Sequence, residues 1–216
     1  MEIGKQSIRL EEPVYVESWA SVVGKKEGEG PLAVFFDEIE TDDQLGQNTW
    51  EEAESMLQQK AARLAVKKAG CTPEDIRIIF AGDLLAQSIA SSFGIGELDR
   101  PLYGLFGACS TMGEALSLGA ITLSAGHGER VLAEKEFRFP LGYGSQRPLS
   151  ASWTVTGSGA CVLNRKKGKV KITGLTTGKV VDYGLKDSQN MGACMAPAAC
   201  STIAQNLKDF GREPEA

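Results

Sequence analysis

Residues 103–125, YGLFGACSTMGEALSLGAITLSA, decide how this chain is expected to fold. A short apolar run that ends at Phe106 is typical of a buried strand, and Gly107 allows a sharp turn because it has no Cβ. Bulky apolar side chains then recur at the spacing of one broad helix face, and Gly126 suits a left-handed helix stop. The stretch therefore predicts a strand that delivers Cys109 to the first turn of a helix.

This junction would place Cys109 at the positive end of a helix dipole. Such a position lowers the pKa of a thiol, and the N–H groups of a helix start can hold a carboxylate or an oxyanion. Ser110 or Thr111 could cap the same turn. The alternative is a purely structural cysteine, because free cysteines are most often small buried hydrophobic residues.

Composition limits the classes of protein that fit. The chain has 216 residues, 42% hydrophobic and 24% charged, which suits one large globular domain or two small ones. The net charge is −5 and the one basic cluster is the turn 165–167, so no nucleic acid partner is expected. Five cysteines without a CxxC pair, and an opening segment without an apolar core, favour a reducing cytoplasm over secretion. No run approaches the roughly 18 apolar residues of a spanning helix, so any membrane role would be peripheral or through a partner.

Helix and strand patterns alternate through the middle of the chain. Thr49 and Glu52 form a capping box before a helical repeat that ends at Gly70. The mostly apolar run 76–81 predicts a strand of a parallel sheet that is covered on both faces. A helix over 84–93 with its stop at Gly94 and a strand over 129–133 complete the pattern on either side of the Cys109 stretch.

The two ends of the chain give weaker patterns. An extended segment at 13–16 and a long surface loop fill the first 47 residues. Strands before and after the turn at 165–168 predict a hairpin. Pro197 is expected at the first position of a final helix that ends at Phe210.

Asp83 directly follows the strand 76–81, and ligands of open α/β sheets gather beyond the carboxyl ends of the strands. Asp83 and Cys109 are therefore expected to face one crevice. The single histidine, His127, falls in a turn at the opposite edge, which favours a structural or solvated role. With one histidine the chain has too few ligands for a His/Cys metal cluster, and no resident cofactor is expected.

The irregular segment 134–151 contains two arginines, Arg138 and Arg147, together with Tyr143 and Gln146. Arginines in loops are usually solvated. They become candidate ligands only where they converge on a site, because the guanidinium fork matches a carboxylate.

Five motifs carry a family resemblance. They are FGACST at 106–111, AGDLL at 81–85, FRFP at 137–140, TVTGSGA at 154–160 and MAPAA at 195–199. In this order, from residue 5 to about residue 210, the chain resembles the stage V sporulation protein AD family, thiolase-like proteins of endospore formers. The resemblance implies an α/β thiolase-like fold, here its N-terminal half, with a mixed, mostly parallel sheet between helices.

The resemblance also implies a function: binding dipicolinic acid (pyridine-2,6-dicarboxylate) and moving it into the developing spore within a membrane-associated complex. The site residues that it suggests are Asp83, Cys109, Ser110, Arg138, Tyr143, Gln146, Arg147 and Thr156. The arginines would hold the two carboxylates, Ser110 and the helix start would donate hydrogen bonds, and Tyr143 would face the ring. Asp83 would act through water, the protonated ring nitrogen or an accompanying Ca²⁺. A homodimer and other subunits of a spore inner-membrane complex are the expected protein partners.

Two departures from the family leave other functions open. The chain lacks the second pseudo-repeat that carries the acid and base residues of condensing enzymes, and a short Ser- and His-containing loop between Ala133 and Glu134 is absent. One alternative is a thiolase or ketoacyl-synthase-like acyltransferase with Cys109 as nucleophile, although its general base is missing. Another is a domain that serves assembly alone.

Overall fold

The structure is a computed structural model that describes residues 1–84, 88–136, 155–187 and 190–214. The chain divides into two compact units: a larger one, Val14–Lys171, and a smaller one formed by Met1–Pro13 and Ile172–Ala216. The described strands are β1 (Glu2–Ile3), β2 (Ser7–Val23), β3 (Glu38–Ile39), β4 (Ile78–Gly82), β5 (Leu102–Gly104), β6 (Arg130–Glu136), β7 (Gly157–Asn164) and β8 (Val170–Thr176). The described α-helices are α1 (Lys25–Gly28), α2 (Trp50–Ala69), α3 (Ile89–Gly96), α4 (Thr111–Ser124) and α5 (Met191–Phe210).

The sheet of the larger unit has the strand order β2-β7-β6-β4-β5. β4 pairs in parallel with both β5 and β6, whereas β7 runs antiparallel to β6 and to β2. β3 adds a short parallel pair to the end of β2. This mixed sheet with crossover helices confirms the predicted α/β class, and it brings the carboxyl ends of β4, β5 and β6 to one edge.

Helices cover the two faces of this sheet because side chains of a strand alternate between faces. Leu132 and Val162 pack in a buried cluster with apolar residues of α2. Their neighbours Val131 and Leu163 lie on the α4 side, where a Cβ on Gly119 would approach them to 3.2 and 2.8 Å. The absence of a side chain at Gly119 therefore lets α4 lie close to the sheet.

The long helix α2 follows the sequence prediction. Thr49 and Glu52 form the reciprocal capping box, and Gly70 ends the helix with φ +66°. α2 buries a face of mostly small and apolar residues that also includes Glu54 and Gln58, which explains how a helix with many charged side chains on its other face still packs into the core.

The prediction for the next helix is wrong in detail. α3 begins at Ile89 and runs through Gly94 to Gly96, so Gly94 is not its stop. A Cβ at Gly94 would lie 2.3 Å from the carbonyl oxygen of Ser55 in α2. The glycine is there because the two helices cross at close range.

The structure corrects three further predictions. The extended segment at 13–16 is part of the 17-residue strand β2, which runs from Ser7. β7 and β8 do not form the predicted hairpin, since β8 pairs with β2. Asn190 begins α5 by accepting a hydrogen bond from the Ala193 N–H at 3.2 Å, and Pro197 therefore lies inside the helix instead of opening it.

Candidate functional site

Cys109 lies in a 3₁₀ turn, Ala108–Ser110, between the end of β5 and the start of α4. Its side chain is exposed, and the turn stands at the carboxyl edge of the sheet. This confirms the predicted placement of a cysteine where a strand meets a helix. The prediction that Gly107 makes the sharp bend is wrong. Gly107 has φ −98°, whereas Ala108 takes the left-handed value of +46°.

A different contact explains why residue 107 is a glycine. A Cβ on Gly107 would lie 2.0 Å from a carboxylate oxygen of Glu114. That carboxylate accepts a hydrogen bond from the Ser110 hydroxyl, which also donates to the Gly107 carbonyl at 2.8 Å. Thr111 donates to the Ala108 carbonyl at 2.8 Å. Ser110 makes no side-chain cap to the N–H groups of α4, so its predicted capping role is wrong.

Asp83 is buried at the end of β4, one strand away from the Cys109 turn. One of its carboxylate oxygens accepts from the Ser88 N–H at 2.9 Å, and the other accepts from the N–H and hydroxyl of Ser91 at 3.2 and 3.1 Å. These bonds hold the first turn of α3. The geometry gives Asp83 a structural role, and its part in ligand binding stays a prediction.

Two charged residues that sequence reasoning missed are buried at the same edge. The prediction ended the strand at Ala133, but β6 continues through Glu134 and Lys135. Glu134 pairs with Ala81, so the point where the family loop is absent falls inside a continuous strand. A polar Glu-Lys-Glu run carries no strand signal by itself, and only the register of β4 and β7 on either side reveals it.

Glu134 and Lys135 lie on opposite faces of β6 and have different partners. The Lys135 ammonium donates to the carbonyl oxygen of Ala108, directly before the cysteine. Glu134 accepts a hydrogen bond from the Ser158 hydroxyl. Burial raises the pKa of the Glu134 carboxyl to about 8, an effect that the Ser158 bond opposes and the nearby Asp83 charge strengthens.

Thr156 precedes β7 and therefore lies at this same edge, since β7 runs antiparallel to β6. Its side chain is buried. Its backbone N–H donates to the Glu27 carboxylate at 2.9 Å, and its carbonyl accepts from Gly24 at 2.9 Å. Four predicted ligand residues, Arg138, Tyr143, Gln146 and Arg147, lie outside the described residues, so their convergence on the site stays a prediction.

His127 lies in the turn between α4 and β6, at the sheet edge opposite Cys109, and its backbone N–H donates to the Thr122 carbonyl at 3.1 Å. That placement agrees with the sequence prediction. In the part of the chain that the structure describes, no group of three or more His, Cys, Asp or Glu side chains could hold a metal ion. No helix among the same residues is long and apolar enough to cross a membrane.

Solved structures with this arrangement of strands and helices define the class. An OleA variant from Xanthomonas campestris, crystallised with cerulenin, matches 98% of this chain and 73% of its own with a TM-score of 0.59 and 16% identity. A tetronic acid condensing enzyme matches 93% of this chain and 74% of its own with a TM-score of 0.58 and 17% identity. The chain therefore has a thiolase-like fold, as predicted, and at these identities the likeness extends to the fold alone.

Sequence comparison identifies the family. The model of the stage V sporulation protein AD (SpoVAD) family matches residues 4–216. Stage V sporulation protein AD of Bacillus subtilis (strain 168) is 39% identical over 218 residues, covering 97% of this chain. The chain belongs to the stage V sporulation protein AD family. It spans 64% of the length of that relative.

Proposed function

We propose that this chain binds dipicolinic acid and takes part in its uptake into the developing spore within a membrane-associated complex. Membership of the sporulation family over residues 4–216 is the observation that carries the proposal, because dipicolinate binding is what the family resemblance implies. The supporting geometry is the exposed Cys109 turn at the carboxyl edge of the sheet, where α/β folds place their ligands.

The charge of the ligand determines which protein side chains could bind it. Dipicolinate carries two negative charges at neutral pH, and the chain has a net charge of −5, so binding requires a local excess of positive charge. Arg138 and Arg147 would supply it through paired hydrogen bonds to the two carboxylates. Lys135 lies at the same edge of the sheet, but its ammonium is bound to the carbonyl of Ala108.

The remaining predicted ligands complete the proposed site. Ser110 would donate a hydrogen bond after its hydroxyl leaves the Glu114 carboxylate, and Tyr143 would stack on the pyridine ring. Gln146 and Thr156 are the remaining candidate ligands that the family resemblance suggests. Asp83 would act through water or through a Ca²⁺ ion that accompanies the ligand, for which carboxylate oxygen is a suitable donor.

The acyltransferase alternative is favoured only by the fold. An acylated Cys109 needs a general base, and His127 lies at the wrong edge of the sheet. We expect no condensation or thiolysis turnover, with only slow alkylation of the thiol. Steady consumption of acyl-CoA that disappears in Cys109→Ala would establish the alternative instead.

Calorimetric titration with dipicolinate tests the proposed function. A partly buried charge-assisted hydrogen bond is worth about 1.5–3 kcal/mol, so Arg138→Ala or Arg147→Ala should weaken binding roughly ten- to a hundredfold. Cys109→Ala should cost less, because it removes only a weak S–H donor. Lys166→Ala is the matched control, since Lys166 is exposed and pairs with Glu129 at 2.9 Å in a surface turn. Unchanged affinity in both arginine variants would refute the site.

A further inference from the structure

The side chain of Lys135 is fully buried, although lysine is among the residues least often found inside proteins. Its neighbours across the sheet are Gly82 on β4 and Gly159 on β7. Residues in register point to the same face, so two glycines leave open the space that the lysine chain fills. A Cβ at Gly82 would meet the Leu105 carbonyl oxygen at 2.2 Å, which shows that this face looks toward the loop before α4.

The ammonium group ends on the carbonyl of a residue in the left-handed conformation. It donates to the carbonyl oxygen of Ala108, whose φ of +46° is uncommon for a residue with a Cβ. The Thr111 hydroxyl donates to the same oxygen at 2.8 Å. A buried charge-assisted hydrogen bond is strong enough to offset the cost of a single left-handed residue.

We infer that Lys135 is a positioning residue, whose buried ammonium fixes the left-handed turn at Ala108 and thereby presents Cys109 and Ser110 at the sheet edge. Where ligand binding is concerned, the inference rests on the proposed function. Lys135 acts through the backbone and does not need to touch the ligand. Its loss should disturb the cysteine and the ligand site together.

The first test measures the cysteine without any ligand. In a Cys194→Ser/Cys200→Ser background, which removes the other exposed thiols of the described chain, the rate of Cys109 alkylation by iodoacetamide is measured at a fixed pH. Lys135→Met should change the rate by about fivefold or more, because the thiol loses its fixed position at the sheet edge. Lys135→Arg, which keeps a charged donor, should restore the rate, and Lys167→Met is the exposed control.

Ala108→Gly provides a second background in which the effect of Lys135→Met on the alkylation rate is measured. Glycine adopts a φ of +46° without a steric penalty, so the turn no longer needs the ammonium. The effect of Lys135→Met should therefore be clearly smaller in the Ala108→Gly background. Equal effects in both backgrounds, or an unchanged alkylation rate in a folded Lys135→Met protein, would overturn the inference.

Dipicolinate titration separates this inference from the proposed function. If the wild-type chain binds, Lys135→Met should weaken the affinity by roughly tenfold, and unchanged affinity would count against the positioning role. If neither the wild type nor any variant binds dipicolinate, the proposed function fails. The alkylation rates would still decide the role of Lys135.

Discussion

At the residue scale, the described site depends on positions where a side chain has no room. Gly82 ends β4 directly beneath the loop that leads to Cys109, and a Cβ there would lie 2.7 Å from the Thr111 methyl group as well as 2.2 Å from the Leu105 carbonyl. Gly113 lies in α4 on the exposed side, with open space around its Cα. A side chain therefore has no room at residue 82 but has open space at residue 113, although both residues lie close to the Cys109 turn.

We expect Gly82→Ala to lower the free energy of unfolding by about 1–3 kcal/mol, because the carbonyl it meets cannot move without displacing the Cys109 turn. Gly113→Ala should instead raise that free energy by about 0.5–1 kcal/mol, since alanine is the better helix former. Urea denaturation of the two variants measures both effects. Equal stability of Gly82→Ala and the wild type would contradict the packing at this edge.

Residue-scale features differed in how far the sequence predicted them. The capping box of Thr49 and Glu52 was predicted because both partners lie within one turn of the same helix. The left-handed Ala108 was not, because its stabilising contact comes from Lys135, 27 positions away. Local patterns predict local hydrogen bonds, whereas a buried charge is placed by strand register.

At the element scale, α5 shows how a valid local rule can be overridden. Proline at the first turn is common, and Pro197 suggested a start there. The structure begins α5 at Met191 instead because Asn190 caps it, and the proline lies in the helix interior. Gly211 ends the helix with φ +62°, directly after the predicted last residue Phe210.

Asp209 near the end of α5 ties this helix to the start of β2 within the smaller unit. Partial burial opposes its charge. The N–H groups of Gln6 and Lys5 and the hydroxyl of Ser7 overcome this and lower the pKa of Asp209 to about 2. The folded pKa is thus below the ordinary value of 3.8. The bonds therefore stabilise the fold above about pH 4, and this contribution is lost as the pH falls toward 2.

We expect Asp209→Asn to be less stable than the wild type at pH 6, with a difference that shrinks below about pH 4 and disappears near pH 2. Glu11→Gln, at an exposed position of β2 in the same unit, is the control and should show little difference at either pH. Denaturant unfolding across this pH range provides the measurement. A difference that persists at the acid end of the range would exclude the carboxylate as the source.

At the scale of the whole molecule, the chain spans 64% of the relative that it matches and exposes several large apolar side chains. β5 is the last strand in the sheet order of the larger unit, and Tyr103, Phe106 and Ile121 near it are 60%, 65% and 41% exposed. Apolar patches of this kind are uncommon on monomers.

We therefore predict that the chain forms a dimer or larger aggregates, in keeping with the homodimer expected from the family resemblance. Sedimentation velocity should show concentration-dependent association that Ile121→Lys weakens. Val34→Lys is the control, since Val34 is 84% exposed on a different segment. A monodisperse wild-type monomer at high concentration would contradict the prediction.

The α/β class could be predicted from strand and helix patterns that alternate along the chain, and the thiolase-like fold from the family resemblance. The strand-to-helix position of Cys109 could be predicted from its own stretch, but the prediction that its strand is buried is wrong, because β5 is a largely exposed edge strand. The candidate site could be predicted only in part, since the Asp83 carboxylate is bonded to the start of α3 and Lys135 reaches the Ala108 carbonyl from a strand whose sequence is polar. The proposed function rests on family resemblance and not on the chemistry of any single residue.

The central claim is that dipicolinate binds at the Cys109 turn, and protection of that thiol tests it most directly. In the Cys194→Ser/Cys200→Ser background, the rate of Cys109 alkylation by iodoacetamide is measured against dipicolinate concentration. The account predicts that alkylation slows at least about fivefold, with half-protection at the dissociation constant found by calorimetry. Benzene-1,3-dicarboxylate, which lacks the ring nitrogen, should protect less. An unchanged alkylation rate at saturating dipicolinate would place the ligand elsewhere and contradict the account.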